Sequence, residues 1–392
     1  MRLRVVAAAA AVAALLLVSW ALSGPGYPGG TPAHDGTWVP RGTDACVRAT
    51  VRDMDPGRRA GQLLLVGVPA GDIGSAAAAV SRYHLGGVFL RGHGTTAAAD
   101  LRADLDALQR TASVARVPRL HVAVDQEGGR IRSLRGPDFP ALPAAVDQGR
   151  WQARVLDRRI REEADRLRRA GITLDLAPVA DTVPAGSEED NPPVGALDRQ
   201  YGADPGAVAD DVVTVVTAMQ STGVLTTLKH FPGLGRVRAN TDHAATAVDT
   251  ATAAGDPYLG PFRRGIAADA AAVMVSSARY PRLDPRNPAV FSSAVITGLL
   301  RGDLSYRGLV VSDDLGQAVA VGALAPGARA TAFVAAGGDL VLTVVPRDAG
   351  PMYDALLAEA RRSATFRARV ESAVTAVLAS KRRAGMLACP GL

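Results

Sequence analysis

Lysine is nearly missing from this chain. Of its 44 basic residues only two are lysines, and arginine carries the rest of the positive charge. One of the two, Lys229, ends an apolar run, where a compact ammonium does a job that a planar guanidinium cannot copy. Aromatic residues are also scarce, at 4%. With so few, and with the arginines scattered along helical patterns, the net charge of +6 does not read as a nucleic-acid surface. It suits weak attraction to anionic envelope polymers or lipid headgroups, a membrane or cell-wall association. There are six histidines and no HExxH-like spacing, so no metal site is expected. No glycine-rich phosphate fingerprint follows the first apolar run, and no cofactor is expected.

Cysteine occurs twice, as Cys46 and Cys389. The N-terminus explains why that matters. Arg2 and Arg4 precede an apolar run from Val5 to Leu22, and Ala21-Leu22-Ser23 offers a small-x-small cleavage pattern. Residues 1–23 therefore read as a signal peptide, with an uncleaved anchor as the alternative, and the chain is expected to be secreted or held at the cell envelope. In an oxidising compartment the two cysteines read as one disulfide tying the ends of the chain together; two free thiols is the alternative. Residues 24–45, rich in Gly, Pro and Thr, read as a linker, and 46–392 as one domain. A monomer is expected.

Hydrophobic residues make up 48% of the chain, so with few aromatics the core is built from Ala, Val and Leu. Short apolar runs without polar alternation recur at Gln62–Val68, Gly86–Leu90, Leu120–Val124, Ile172–Ala180, Leu225–Lys229, Ala272–Ser276, Gly308–Ser312 and Asp339–Val345. That is the pattern of parallel strands buried on both faces. Helical periodicity fills the gaps at Ala97–Ala115, Trp151–Ala170, Asp204–Thr222, Pro261–Ala270, Ser292–Leu304, Ala328–Gly337 and Pro351–Ala360, with one more helix at Phe366–Lys381. Eight runs alternating with about as many helices predict an α/β fold, a (β/α)8 TIM-type barrel. An open doubly wound sheet is the alternative.

The polar residues support closure. Asp125-Gln126-Glu127-Gly128-Gly129-Arg130 follows the third run, Asp181 the fourth, Lys229-His230 the fifth, Ser276-Ser277 the sixth and Asp313-Asp314 the seventh. In a barrel these ends meet on one face, where active sites are built. The stretch Leu225 to His243, with Lys229, His230, Asp242 and His243, stands out as part of such a site.

Six motifs in order, VDQEGGR at 124–130, LAPVAD at 176–181, DRQYGADP at 198–205, KHFPGLG at 229–235, VMVSS at 273–277 and GLVVSDDL at 308–315, mark a resemblance to glycoside hydrolase family 3. Within it the chain is similar to the single-domain β-N-acetylhexosaminidases of the NagZ type. The resemblance implies a retaining mechanism with Asp313 as nucleophile toward the anomeric carbon. It implies that Asp125, Arg199, Lys229 and His230 grip the sugar hydroxyls, and that Asp314 points away to hold a loop. A third-strand arginine of the family is Ser133 here, with Arg130 and Arg132 nearby. The substrate it implies is a carbohydrate with terminal β-linked N-acetylglucosamine, such as peptidoglycan fragments.

One departure concerns proton transfer. The family carries an Asp-x-His dyad on the loop after KHFPGHG, whereas this chain reads Ala239-Asn240-Thr241-Asp242-His243. An ungapped match sets Asn240 at the Asp and Asp242 at the His; one inserted residue sets His243 at the His and Thr241 at the Asp. Leu234 and Ser277 replace two further histidines. Three readings stay open: His243 as acid/base, Asp242 as acid/base, or lost proton transfer in a glycan-binding protein of the same fold. A barrel aldolase using Lys229 as a Schiff-base amine is the reading outside the resemblance.

Overall fold

The computed structural model describes residues 44–387. The expected export segment, the linker through residue 43 and Cys389 lie outside the described residues. Eight parallel strands form the sheet: β1 (Leu64–Pro69), β2 (Gly87–Arg91), β3 (His121–Val124), β4 (Leu174–Asp175), β5 (Leu225–Phe231), β6 (Ala272–Val275), β7 (Leu309–Ser312) and β8 (Val341–Thr343). From β1 to β7 each pairs with the next in sequence, and β8 pairs with β1. The remaining seam is closed by a parallel bridge from Val311 to Leu340, with the Ser312 N–H donating to the Leu340 carbonyl at 3.0 Å. The fold is the expected (β/α)8 barrel, and each of the eight strands overlaps one of the eight apolar runs.

The strands form where Val, Leu and Ala run uninterrupted, because barrel strands bury both faces. Outside them, the helix Ala153–Arg169 shows the same economy at helical spacing. Leu156, Ile160, Ala164 and Leu167 face inward while the arginines stay out. Burying a Leu or Ile side chain contributes about 2 kcal/mol, so this stripe alone docks the helix. Pro205–Gln220 starts where the Asp204 side chain accepts from the Ala207 N–H at 2.8 Å, with Pro205 in the first turn.

Two elements differ from expectation. The fourth run is a strand only over Leu174–Asp175, since Pro178 has no N–H for the ladder; pairing resumes at a single bridge, Val179 to Lys229. The expected helix at Ser292–Leu304 is a π-helix over Ala294–Asp303. Within it Arg301 turns inward to the Gly337 carbonyl at 3.0 Å and the Asp339 carboxylate at 2.6 Å.

The two ends of the barrel are unlike. At the N-terminal end the helix Ala364–Arg383 lies under the strands. There the fully buried Lys381 donates to Gln62 at 2.6 Å, and Ser380 meets His121 Nε2 at 2.8 Å. Burial pushes the Lys381 ammonium down to about 7. The first described helix, Ala45–Asp53, packs on this last one, with Arg382 to Asp44 at 3.1 Å. Asp339, just before β8, is held between Arg301 and Arg369 and accepts from the Val310 N–H at 2.9 Å, tying the seam. The C-terminal end carries the polar residues.

Candidate active site

The site grows from the ends of four strands. After β3 the chain turns into a short hairpin, Gln126–Gly128 against Ile131–Arg132. Gly128 and Gly129 take positive φ there, and a Cβ on Gly128 would lie 2.3 Å from the Pro143 carbonyl. This turn brings Asp125 and Glu127 beside β5. Lys229 in β5 is 2% exposed, with Nζ 2.6 Å from Asp125 Oδ1 and 2.5 Å from Glu127 Oε1. Glu127 in turn takes the Arg199 guanidinium two-pronged, Nε to Oε2 at 2.9 Å and Nη2 to Oε1 at 2.7 Å. Arg199 is steadied by the Pro193 carbonyl at 2.7 Å.

His230 completes the network. Its Nε2 lies 3.4 Å from Arg199 Nη2, and its Nδ1 lies 2.7 Å from Asp181 Oδ2. The other Asp181 oxygen accepts from the His230 and Leu234 backbone N–H groups at 3.1 and 2.8 Å, fixing the turn that follows. Consecutive residues of a regular strand face opposite ways. Lys229 and His230 nonetheless reach the same Arg–Glu pair, at the point where the Lys229–His230 peptide is cis and pairing with β6 shifts register between Leu228 and Phe231.

Asp313 follows β7, its N–H donating to the Val275 carbonyl at 3.0 Å. Burial pushes its carboxyl up to about 6; nearby His230 opposes this, and the charge of Asp242 adds to it. Asp314 serves the chain: its oxygens accept from the Gly316, Gln317 and Val344 N–H groups at 2.8 to 2.9 Å. Burial alone would raise Glu127 as well, but Arg199 and Lys229 hold it down to about 2. Lys229 is held above its ordinary value by Asp125 and Glu127, against its own burial. Asp175, fully buried in β4, is raised well above the carboxylate range by desolvation, and one of its oxygens has no partner among the described residues.

Asp125, Arg199, Lys229 and His230 thus form one network, with Asp313 within electrostatic reach of His230. Asp125 and Arg199 do not pair with each other; Arg199 takes Glu127 instead. The Ser133 hydroxyl is spent on the backbone, accepting the Asp125 N–H at 3.1 Å. Asp242 and His243 are both exposed. Asp242 acts on Asp313 and Asp314, whereas the His243 ring has no hydrogen-bond partner among the described residues. Glu127, to which the sequence assigns no role, sits at the centre; its place in the VDQEGGR motif is the signal that could have found it. Among the described residues no group of acidic, His and Cys side chains could hold a metal, and no helix is long and apolar enough to cross a membrane.

A barrel with charged donors and acceptors at one mouth and a desolvated carboxylate beside them has the chemistry that a polyol-cleaving hydrolase needs. The sequence profile of the Glycosyl hydrolase family 3 N terminal domain matches residues 58–380. A β-hexosaminidase of Stenotrophomonas maltophilia is 38% identical over 254 residues, covering 62% of this chain and 71% of that protein. The crystal structure of a β-N-acetylhexosaminidase from Beutenbergia cavernae aligns with TM-score 0.82 at 38% identity, over 84% of this chain and 99% of that one. Mycobacterium tuberculosis LpqI aligns with TM-score 0.75 at 27% identity, over 90% and 100%. The chain belongs to glycosyl hydrolase family 3 and is a glycosidase.

Proposed function

We propose that the chain is an exported retaining glycosidase that removes terminal β-linked N-acetylglucosamine from peptidoglycan fragments or related glycans. The names of its relatives support the sugar. The observation that carries the mechanism is Asp313, a desolvated carboxylate at a strand end beside the Lys229–Glu127–Arg199–His230 network. In this reading Asp125, Lys229, Arg199 and His230 hold the sugar by charge-assisted hydrogen bonds. Asp313 attacks the anomeric carbon, and a side chain of the 240–243 loop protonates the departing oxygen. Water then cleaves the glycosyl-enzyme. Export rests on the N-terminal Arg2–Ser23 pattern and on Cys46 and Cys389 as a disulfide. The packing of the Cys46 helix on the C-terminal helix supports that pairing.

The test is hydrolysis of 4-nitrophenyl N-acetyl-β-glucosaminide beside its 2,4-dinitrophenyl analogue. Wild type cleaves both, and Asp313→Asn cleaves neither. A glycan receptor of the same fold is the second reading, favoured by the exposure of His243 away from any carboxylate partner. Sugar binding without turnover by wild type establishes it instead.

A further inference from the structure

We propose that Asp242, seated on a loop docked on the segment that follows the nucleophile strand, is the acid/base of this enzyme, and that His243 takes no part in the chemistry. This rests on the glycosidase reading above and deepens it. The first observation is the docking. Thr241 is 3% exposed, and its carbonyl accepts the Ala320 N–H at 3.0 Å. Ala320 belongs to the short helix Val319–Val321 on the loop that leaves Asp313 and Asp314. The loop from β5 and the loop from β7 are therefore joined one residue before Asp242.

The second observation is the turn itself. The Asn240 side chain accepts the Asp242 N–H at 2.9 Å, and the Asn240 carbonyl accepts the His243 N–H at 3.1 Å. In this Asx turn Asn240 spends its side chain on the backbone, and Asp242 follows it at a fixed position. No described residue donates to the Asp242 carboxylate, so it is not consumed as a structural cap.

The third is electrostatic. The charge of Asp242 raises Asp313 more than that of Asp314, its immediate neighbour in the chain. The strongest charges acting on Asp313 are His230 from β5, Asp242 from the docked loop and Asp314 beside it; Tyr280 responds to Asp313 from the segment after β6. His243 is not among them. A retaining enzyme needs two carboxylates at one bond, one to attack and one to hand over the proton, and the docked loop brings the second within electrostatic reach of Asp313.

The steps balance. As Asp313 forms its bond to the anomeric carbon, the glycosidic C–O bond breaks and the leaving oxygen takes the Asp242 proton. In the second half a water gives its proton to the Asp242 carboxylate. Its oxygen bonds the anomeric carbon, and the Asp313 ester breaks to restore the carboxylate. No other reactant is required.

The experiment compares wild type, Asp242→Ala, Asp242→Asn and His243→Ala on the two aryl glycosides, with and without sodium azide. Asp242→Ala should lose about 10²- to 10⁴-fold on the 4-nitrophenyl substrate and much less on the dinitrophenyl one. Azide should restore its turnover with a β-glycosyl azide as product. Asp242→Asn should remove the alkaline limb of kcat/KM, because the group that must hold the proton for the leaving oxygen is gone. His243→Ala should match wild type in every one of these readouts. If His243→Ala shows the leaving-group-dependent loss, or Asp242→Ala keeps wild-type rates, the assignment is wrong while the glycosidase reading stands. A wild type that cleaves neither substrate overturns both. Unchanged melting of Asp242→Asn separates chemistry from folding.

Discussion

Glu127 and Arg199 meet through two parallel bonds, at 2.9 and 2.7 Å, with the Lys229 ammonium 2.5 Å from the same carboxylate. One acid thereby fixes two cations that would otherwise repel each other across the sugar site. The geometry is a fork on a carboxylate, which lysine cannot reproduce.

Glu127→Gln should therefore damage binding before chemistry. The amide leaves Arg199 without its ion-pair partner beside a Lys229 that keeps only Asp125, an unpaired-charge cost of about 3 kcal/mol or more. We expect KM to rise at least about tenfold, with a smaller fall in kcat, and Tm to drop; steady-state kinetics and thermal melts check both. Arg199→Lys should resemble Glu127→Gln, not wild type.

Asp313 makes the enzyme sensitive to acid. The nucleophile must be ionised, and burial sets its midpoint at about 6, so kcat/KM should fall as pH drops through that value. The same shift affects stability. A carboxyl raised in the folded state is matched to folding below its ordinary 3.8 and costs stability as pH rises through about 6. Asp313→Asn should accordingly be more stable than wild type at pH 7.5, by about 1–3 kcal/mol, with the gap closing below about pH 4. Denaturant melts at both pH values check the sign.

Lys381 gives the opposite slope in another range. Its folded midpoint is lowered to about 7 from 10.5, so its contribution is intact above 10.5 and lost as pH falls toward 7. Over that window the group adds about 1.4 kcal/mol of stability per unit of rising pH. Lys381→Met should flatten the stability profile between about pH 7 and 9. Above about pH 10.5 it should cost only about 1 kcal/mol for the bond to Gln62, and toward pH 7 it should be more stable than wild type. Chemical denaturation across the window measures it.

The barrel is legible in the sequence because parallel strands buried on both faces leave runs such as Leu63 to Val68 or Leu309 to Val311, where nothing polar interrupts. The convergence of Asp125, Lys229 and Asp313 follows from their positions at strand ends. Other parts are not legible. Glu127 lies two residues from Asp125, and sequence alone does not say which of two nearby acids meets the sugar and which holds its neighbours. The π-helix Ala294–Asp303 carries apolar residues that fit an α-helix equally well over so short a length. Between Asp242 and His243 no pattern can choose, because the choice is made by a backbone turn on Asn240 and by the docking of Thr241 on Ala320.

The Arg301–Asp339–Arg369 clamp has a bearing on how the chain comes together in time. Its acid precedes the last strand, and its two cations come from a helix before it and a helix after it. As the polypeptide emerges from the ribosome, seven strands exist before Asp339 appears, and Arg369 arrives later still. A nascent chain halted after Arg362 would hold every strand yet lack both the floor and half of the clamp, so its closing seam would rest on Arg301 and the Val311–Leu340 bridge alone.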